Sequence, residues 1–374
     1  MIKVWDYQNE YKILRKEILK SVDNVFKSGT LIFGPHLDKF ENSFKKYIGT
    51  KFGLGVGNGS DALYIAMKAC GIGPGDEVIT TSNTAVPTVM AIVNTGAKPK
   101  FVDVNSYYLI NPNLIEKKIN KNTKAIIPVH LYGQSCDMTS ICKIAKKYNL
   151  KVIEDCAQSH GATYFAKKTG SLGDIGCFSF YPTKILGGYG DGGFITTNDE
   201  MLFDKMMRIR FLGMERKKMS SGHWNGKYYA IEQGTNSRLD EVHAAILSIK
   251  LKYLNKWISI RREIAQKYNK ELKNTNLSLP KQVKGNKHAY YVYVVSHEKR
   301  DVIMNDLAKK NIHLNVSYPW PVHEMEPYKN NVCADCDCLN NTNIFSKKIF
   351  SLPMYPYLGE EKQDKVIKVL KSLL

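Results

Sequence analysis

Apolar and polar positions follow two alternating patterns along the chain between residues 50 and 200. Short apolar runs are separated there by segments whose apolar residues recur at helical spacing. The short runs predict strands at 52–56, 77–81, 100–104, 124–131, 151–155, 176–180 and 193–197. Residues 125–129 are apolar throughout, which is typical of a sheet covered on both faces, and 138–148 predicts an amphipathic helix. The alternation predicts an α/β domain with a mainly parallel central sheet.

The pattern changes after residue 200. One long helix is predicted over 239–270, a strand over 288–296, and helices over 301–310 and 360–373. We find no internal repeat and no low-complexity linker. The chain is therefore predicted to contain a large domain over 1–240, with a helical segment at its N-terminus. Residues 241–374 are predicted to form the long connecting helix and a smaller α+β domain.

Basic residues outnumber acidic ones, with 54 Lys+Arg against 35 Asp+Glu and a formal net charge of +19. Such an excess is compatible with nucleic acid, an anionic membrane or a phosphorylated substrate. The basic residues are scattered, however, and Arg216-Lys217-Lys218 is the longest uninterrupted run. Nucleic-acid-binding tracts usually have about five to eight such residues. A basic nucleic-acid-binding protein is therefore disfavoured and stays the alternative from another functional class.

Several features bear on the cellular location. The apolar fraction of 43% excludes disorder as a description of the whole chain. No apolar stretch approaches the roughly 18 residues of a membrane span, and the first residues lack the layout of a signal peptide. The sequence predicts a cytoplasmic protein with neither a membrane nor a nucleic acid as partner.

Three of the eight cysteines form a cluster, Cys333, Cys336 and Cys338. A tetrahedral metal site needs a fourth ligand, for which His323 is the nearest upstream candidate. An isolated Cys-x-x-Cys without a partner pair is a weak signal. We therefore predict no metal site.

Candidate chemistry lies at the ends of predicted strands, where open α/β sheets bind their ligands. The glycine-rich segment 55–63 can cradle an anion at a helix N-terminus, although a plain turn would have the same composition. Asp155 ends an apolar strand and could instead cap a helix, while Lys184 stands between an apolar strand and a glycine-rich turn. An anion cradle, a buried acid and a lysine are the groups that pyridoxal phosphate needs for its phosphate, its ring nitrogen and its aldehyde.

These segments resemble the DegT/DnrJ/EryC1/StrS family of sugar aminotransferases, and the similarity covers nearly the whole chain. The segments that carry it run from Gly29…Phe33-Gly34-Pro35 through 154–158 and 179–184 to 351–356. The resemblance implies the fold of type I pyridoxal-phosphate enzymes, with a large cofactor domain and a smaller C-terminal domain. It also implies action on a nucleotide-linked keto sugar and a homodimer with shared active sites.

The resemblance also implies roles for individual residues. Lys184 matches the lysine that forms a Schiff base with the cofactor and moves a proton, and Asp155 matches the acid that pairs with the pyridinium nitrogen. The remaining cofactor contacts that it implies are Gln158 beside the ring and, at the phosphate, Gly59, Ser60, Ser179 and Asn236, the last from the neighbouring subunit.

The run 181–193 is similar to members that aminate C3 of dTDP-linked 3-keto-6-deoxyhexoses, with glutamate as the expected donor, in amino-sugar and surface-polysaccharide biosynthesis. Members that act at C4 of UDP-, GDP- or dTDP-4-keto sugars more often carry histidine in the place of Tyr181, and this alternative stays open. Tyr181, Tyr318 and His323 are the predicted substrate contacts. A packing role is the alternative for Tyr318 and His323, which lie in an aromatic, proline-rich loop.

One position departs from the family pattern. Ala85 stands where many relatives carry an aromatic residue that stacks on the cofactor ring. We expect this stacking to come from elsewhere, either from His160 or from a residue that the sequence does not identify. His130, which follows an apolar strand, is interpreted as a structural histidine.

Overall fold

The structure, a computed structural model, describes residues 1–214, 229–329 and 339–374. The basic run Arg216-Lys217-Lys218 and the cysteines Cys333, Cys336 and Cys338 lie outside the described residues. The strands are β1 Ile2–Lys3, β2 Phe52–Val56, β3 Glu77–Thr80, β4 Lys98–Phe101, β5 Thr123–Ile126, β6 Lys151–Asp155, β7 Thr163–Tyr164, β8 Lys167–Lys168, β9 Ile175–Ser179, β10 Gly193–Thr197, β11 Asn286–Lys287, β12 Tyr293–Ser296, β13 Ile312–His313 and β14 Ile349–Leu352. The helices are α1 Gln8–Ser28, α2 Pro35–Ile48, α3 Gly59–Ala69, α4 Val86–Asn94, α5 Pro112–Ile115, α6 Met138–Lys147, α7 Glu200–Arg210, α8 Glu241–Leu251, α9 Leu254–Leu272, α10 Arg300–Lys309, α11 Glu326–Lys329, α12 Asn340–Lys348 and α13 Glu360–Leu373.

A seven-stranded sheet forms the centre of the molecule, in the order β2-β10-β9-β6-β5-β3-β4. The strands β4, β3, β5, β6 and β9 pair in parallel, and β10 runs antiparallel to both of its neighbours. The inner strands are buried along almost their whole length because helices cover both faces. The predicted fold class, α/β with a mainly parallel sheet, is confirmed.

Two different cores cover the faces of this sheet. On one face, α3 packs on β9 and β10 and is flanked by α4 and α7. On the other face, α2 and α8 close over an aromatic cluster in which the Phe44 and Phe194 rings meet edge to face at 4.9 Å. Edge-to-face contacts of this kind add to the free energy of simple burial. The sheet is thereby held rigid beneath its carboxyl edge.

The C-terminal part of the chain has a core of its own, built by α9, α10, α13 and the antiparallel pair β12–β14. Tyr268, Tyr293 and Phe350 are buried within it. The N-terminus contributes as well, because β1 pairs in parallel with β13. Among the described helices, none combines the length and the apolar character that crossing a membrane requires.

The predicted helix over 239–270 is wrong in one respect, since the chain forms two helices, α8 and α9, with a turn between them. The amides of Lys252 and Tyr253 bond to carbonyls three residues back, at 3.2 and 3.0 Å, which tightens the chain and ends the regular helix. Neither glycine nor proline marks this turn in the sequence.

The predicted strand over 288–296 is correct only for its second half, Tyr293–Ser296. Tyr290 has a φ of 49°, which an extended strand does not permit. The buried Arg261 guanidinium holds the carbonyls of Tyr290 and Tyr291, at 3.2 and 3.1 Å. A contact from a distant helix therefore decides the conformation here.

The strand predicted over 124–131 is shorter than expected, because β5 ends at Ile126. Pro128 has no amide hydrogen and interrupts the ladder of hydrogen bonds, which resumes only as an isolated bridge between Val129 and Asp155. The N-terminal segment before β2 is also fixed by a distant residue. Glu241, at the start of α8, accepts hydrogen bonds at 2.9 Å from the amides of Gly34, His36 and Leu37, which begin α2.

Candidate active site

A cavity of about 500 Å³ opens at the carboxyl ends of β2, β6 and β9. Six residues predicted from the sequence line it together: Gly59, Ser60, Asp155, Ser179, Tyr181 and Lys184. These residues come from positions as far apart as 59 and 184, and the sheet brings them to one edge. This is the place where open α/β sheets bind ligands.

The first turn of α3 forms one wall of the cavity. Asn58 caps this helix by accepting a hydrogen bond from the Asp61 amide at 2.8 Å. The amides of Gly59 and Ser60 belong to the first turn, where a helix provides no internal acceptor, so they can bind an anion. A Cβ atom on Gly59 would lie 2.7 Å from the Cβ of Ser179. Glycine is therefore required for α3 to begin this close to β9.

Asp155 forms the floor of the cavity at the end of β6 and is only 5% exposed. Its Oδ2 accepts a hydrogen bond from the Thr88 hydroxyl at 2.8 Å, and its Oδ1 accepts one from the Ala157 amide at 3.1 Å. The chain after Asp155 forms turns rather than a helix, so the helix-cap interpretation is wrong. These two donors fix the plane of the carboxylate.

Lys184 reaches the cavity from the turn that follows β9. Its amide donates to the Tyr181 carbonyl at 2.9 Å, which closes a tight turn between the two residues. Its Nζ lies 4.9 Å from the ring centroid of Tyr291. Tyr181 also lines the cavity, yet its side chain is 52% exposed, which places it at the mouth.

Gln158, Tyr318 and His323 stand outside the lining of the cavity. The Tyr132 amide donates to Oε1 of Gln158 at 2.8 Å, and Nε2 of Gln158 donates to the Tyr318 hydroxyl. Burial raises the pKa of Tyr318, so this hydroxyl stays protonated at neutral pH. The Nδ1 of His323 is hydrogen-bonded to the Ser82 hydroxyl at 2.7 Å, beyond the end of β3.

Comparison with known protein families shows to which family the chain with this cavity belongs. Residues 12–371 match the DegT/DnrJ/EryC1/StrS aminotransferase family. The chain belongs to this family. It is a pyridoxal-phosphate-dependent aminotransferase.

The similarity to known relatives extends along nearly the whole chain. The chain is 44% identical to the dTDP-3-amino-3,4,6-trideoxy-alpha-D-glucose transaminase of Micromonospora megalomicea subsp. nigra, over 99% of this chain and 98% of the relative. It is 43% identical to the dTDP-3-amino-3,6-dideoxy-alpha-D-galactopyranose transaminase of Aneurinibacillus thermoaerophilus, over 99% of both. The crystal structure of Streptomyces venezuelae DesV, solved with a ketimine intermediate, superimposes with a TM-score of 0.93 at 34% identity, over 98% of this chain and 97% of DesV. NtdA from Bacillus subtilis, solved with the cofactor PMP, is 32% identical with a TM-score of 0.87, over 96% of this chain and 81% of NtdA.

The residues of this aminotransferase fit pyridoxal phosphate. The cradle at the start of α3 leaves no room for a Cβ atom at Gly59 and offers amides to a phosphate. The buried carboxylate of Asp155 suits a protonated ring nitrogen, and the Lys184 amine reaches the same cavity. When bound, the cofactor supplies an aldehyde that joins an amine and a ring that accepts electrons from the reacting carbon.

The hypothesis that His160 replaces the missing aromatic at Ala85 is wrong. The His160 ring is fully buried and lies against Phe178 and Phe180, with centroids 5.5 and 5.9 Å away. It does not line the cavity, whereas Ala85 does. Burial lowers the pKa of His160 to about 3, so the imidazole is neutral in this aromatic core.

His130 is a structural histidine, as the sequence indicates. Its Nε2 is 2.8 Å from Oε2 of Glu154, and its Nδ1 accepts a hydrogen bond from the Cys136 amide at 3.0 Å. Glu154 also accepts hydrogen bonds from three backbone amides, those of Gly170, Leu172 and Gly173. This buried network holds the loop after β8 against the strand that carries Asp155.

Asn236 lies apart from the cavity of its own chain. Its side chain is exposed, and its backbone forms an isolated bridge with Phe211. The next residue, Ser237, donates to Oδ2 of Asp61 at 2.6 Å, and Asp61 lines the cavity. The loop that carries Asn236 is therefore anchored beside the cavity entrance while Asn236 itself faces outward.

Two residues that the sequence did not indicate contact the predicted catalytic residues. Thr88 contacts Asp155, and Tyr291 contacts Lys184. Thr88 stands in the first turn of α4, and Tyr291 lies in a segment that was interpreted as a strand. A threonine at a helix start and a tyrosine in an apolar segment are common without any function. No local signal distinguishes them.

Proposed function

We propose that this aminotransferase transfers the amino group of glutamate to C3 of a dTDP-linked 3-keto-6-deoxyhexose, in amino-sugar biosynthesis for a surface polysaccharide. The observation that carries the proposal is the cavity in which Lys184, Asp155 and the start of α3 meet, with Tyr181 at its mouth. Two relatives at 44% and 43% identity are named as transaminases of dTDP-3-amino sugars.

The names of the relatives support amination at C3 of the sugar more strongly than they support one particular nucleotide. A Pseudomonas aeruginosa relative at 37% identity is named as a UDP-2-acetamido-2-deoxy-3-oxo-D-glucuronate aminotransferase. An Acidithiobacillus ferrooxidans relative at 35% identity is named as a UDP-N-acetyl-3-dehydro-alpha-D-glucosamine 3-aminotransferase. Amination at C3 therefore recurs across both nucleotides, which disfavours the C4 alternative. The family match disfavours the alternative of a nucleic-acid-binding protein.

We propose the following roles for the residues predicted to bind the cofactor and to move a proton. The amine of Lys184 would hold the cofactor by condensing with its aldehyde, with loss of water. As a free amine, Lys184 would take a proton from the carbon that bears the donor's amino group. The Asp155 carboxylate would keep the proton on the ring nitrogen, and Gln158 would contact the ring from outside the lining of the cavity. The amides of Gly59 and Ser60 and the hydroxyls of Ser60 and Ser179 would hold the phosphate.

Substrate contacts are proposed at the mouth and beside it. Tyr181 is exposed at the entrance, where a sugar must pass to reach Lys184. Tyr318 and His323 are proposed to contact the sugar or the nucleotide, with Gln158 and Ser82 fixing their side chains. The basic surface is proposed to attract the anionic nucleotide sugar and glutamate. The domain boundary near residue 240 and the cytoplasmic location stay predictions.

A panel of substrates tests this function directly. We expect purified protein, supplied with pyridoxal phosphate and glutamate, to convert a dTDP-3-keto-6-deoxyhexose into the dTDP-3-amino sugar and glutamate into 2-oxoglutarate. Turnover of dTDP-4-keto and UDP-4-keto sugars is expected to be at least about 100-fold slower in kcat/KM, because the ketone would stand one carbon away from Lys184. Mass spectrometry of the products measures both. Exclusive turnover of the 4-keto substrates would contradict the proposal.

We propose that the enzyme is a homodimer in which Asn236 serves the partner's cofactor phosphate. The support is the exposed surface around the loop that carries Asn236. Leu31 and Ile231 are exposed apolar residues. The Ile231 amide donates to the Gly213 carbonyl at 2.9 Å, and the Phe33 ring meets the Phe211 ring with centroids 5.2 Å apart, so the segments that carry both residues pack against residues 211–213. Contiguous exposed apolar side chains mark surfaces that bind protein.

Mixing two inactive variants tests this arrangement. Lys184→Ala and Asn236→Ala are each expected to be strongly impaired as homodimers. After the two are unfolded together in equal amounts and refolded, about half of the dimers are hybrids, and each hybrid has one site with both residues intact. We expect about a quarter of the wild-type rate. If Asn236 served its own chain, no site would be complete, and the rate would stay at or below that of Asn236→Ala alone.

A further inference from the structure

Tyr291 makes two separate contacts with the turn that carries Lys184. Its ring faces Nζ of Lys184 at 4.9 Å from the centroid, a distance at which an ammonium group is attracted to an aromatic face. Its hydroxyl is 3.1 Å from Oγ1 of Thr183, the residue before the lysine. One side chain thus contacts both the end of the Lys184 side chain and the hydroxyl of the residue before it.

The backbone of Tyr291 is held from two sides. Its amide donates to the Tyr132 carbonyl at 3.0 Å, and its carbonyl accepts from Nη1 of Arg261 at 3.1 Å. Arg261 is 2% exposed and also holds the Met354 carbonyl at 2.8 Å. Gly133 permits this packing, since a Cβ atom there would lie 2.7 Å from the Tyr291 amide nitrogen. The ring is therefore presented to Lys184 by a rigid support.

Tyr291 also faces a second, smaller space, which Lys184 does not line. Thr183 and Tyr291 line a cavity of about 130 Å³, together with Trp5 and Asn315. Without the ring, the amine of Lys184 could turn toward that space and leave the reacting carbon. A transaminase needs its lysine to stay close after the donor has displaced it, because the same amine moves the proton next.

We propose that the ring of Tyr291 is the docking place of the Lys184 ammonium while the amine is not joined to the cofactor, and that the Tyr291 hydroxyl fixes the turn of the lysine through Thr183. Tyr291 is then a positioning residue that acts through Lys184. This inference rests on the proposed role of Lys184 as the residue that the cofactor joins.

Chemical labelling of the cofactor-free protein tests the ring contact. Amine reagents must reach the amine nitrogen, and the Tyr291 ring covers one side of the Lys184 amine. We expect Tyr291→Leu to label at Lys184 about fivefold faster than wild type, at neutral pH and limiting trinitrobenzenesulfonate. Tyr291→Phe keeps the ring and is expected to label within about twofold of wild type. Peptide mass spectrometry gives the rate for Lys184 relative to surface lysines of the same sample.

The neighbouring Tyr290 provides the matched control. Its ring stacks on His288, with centroids 4.0 Å apart, so Tyr290→Leu disturbs the same segment without removing the ring over Lys184. We expect wild-type labelling of Lys184 in this variant. Equal rates in Tyr291→Leu and wild type, equal acceleration in the leucine and phenylalanine variants, or acceleration by Tyr290→Leu would each overturn the inference.

A separate measurement shows whether a negative labelling result contradicts only the role of Tyr291 or also the proposed role of Lys184. Borohydride reduction of the cofactor-loaded wild type, followed by peptide mapping, shows which lysine carries the cofactor. Attachment at a residue other than Lys184 would contradict the proposed function itself. Attachment at Lys184, combined with unchanged labelling in Tyr291→Leu, would overturn only the role of Tyr291.

Discussion

Lys184→Ala is expected to lose turnover by a factor on the order of 10⁴ or more, because one amine both joins the cofactor and moves the proton. The purified variant is also expected to lack the yellow colour that a covalently attached cofactor gives to wild type. The measurements are the steady-state rate at which the nucleotide-linked amino sugar forms and the visible absorbance after gel filtration.

Two further variants sharpen this result. Lys184→Arg keeps the positive charge, but a guanidinium cannot be deprotonated under these conditions, so it is expected to be as inactive as the alanine variant. Lys167→Ala removes an exposed lysine of β8 and is expected to behave as wild type. A Lys184→Ala protein that retains borohydride-stable cofactor and turnover would assign the attachment to another residue.

Asp155→Asn is expected to lower kcat by a factor on the order of 10³ with little change in fold. The amide is nearly the same size and can still accept the Thr88 hydrogen bond, but it carries no charge to keep the ring nitrogen protonated. Unchanged thermal unfolding, together with the fall in kcat, is the expected combination. The rate is measured at saturating sugar and glutamate, so that the chemical step and not binding is compared.

Thr88→Val separates the charge of Asp155 from its orientation. Valine has the shape of threonine without the hydroxyl, so the carboxylate loses one of its two fixed donors and keeps its charge. A loss of roughly tenfold is expected, well short of the loss in Asp155→Asn. If Asp155→Asn kept kcat within about threefold of wild type, the pairing of Asp155 with the ring nitrogen would be wrong.

Local sequence pattern was sufficient for the strands that carry the site. The predicted bounds 52–56, 151–155 and 193–197 agree with the structure because each segment has apolar residues at its centre and ends at, or just before, a glycine or a polar residue. The pattern failed where distant groups decide the conformation. The turn between α8 and α9 has no glycine or proline, and the segment before Tyr293 is bent by hydrogen bonds from Arg261.

The sequence by itself determined that an acid, a lysine and a glycine-rich helix start follow strands of one sheet, and hence that Asp155, Lys184 and Gly59 meet. Only the tertiary structure decided which side chains hold them. Thr88 and Asp155 are 67 residues apart, and Thr183 and Tyr291 are 108 apart. Periodicity reports the few neighbouring residues of one helix or strand, whereas these hydrogen bonds depend on how separate elements pack. The same packing places the His160 ring inside the aromatic core, whereas Ala85 lines the cavity.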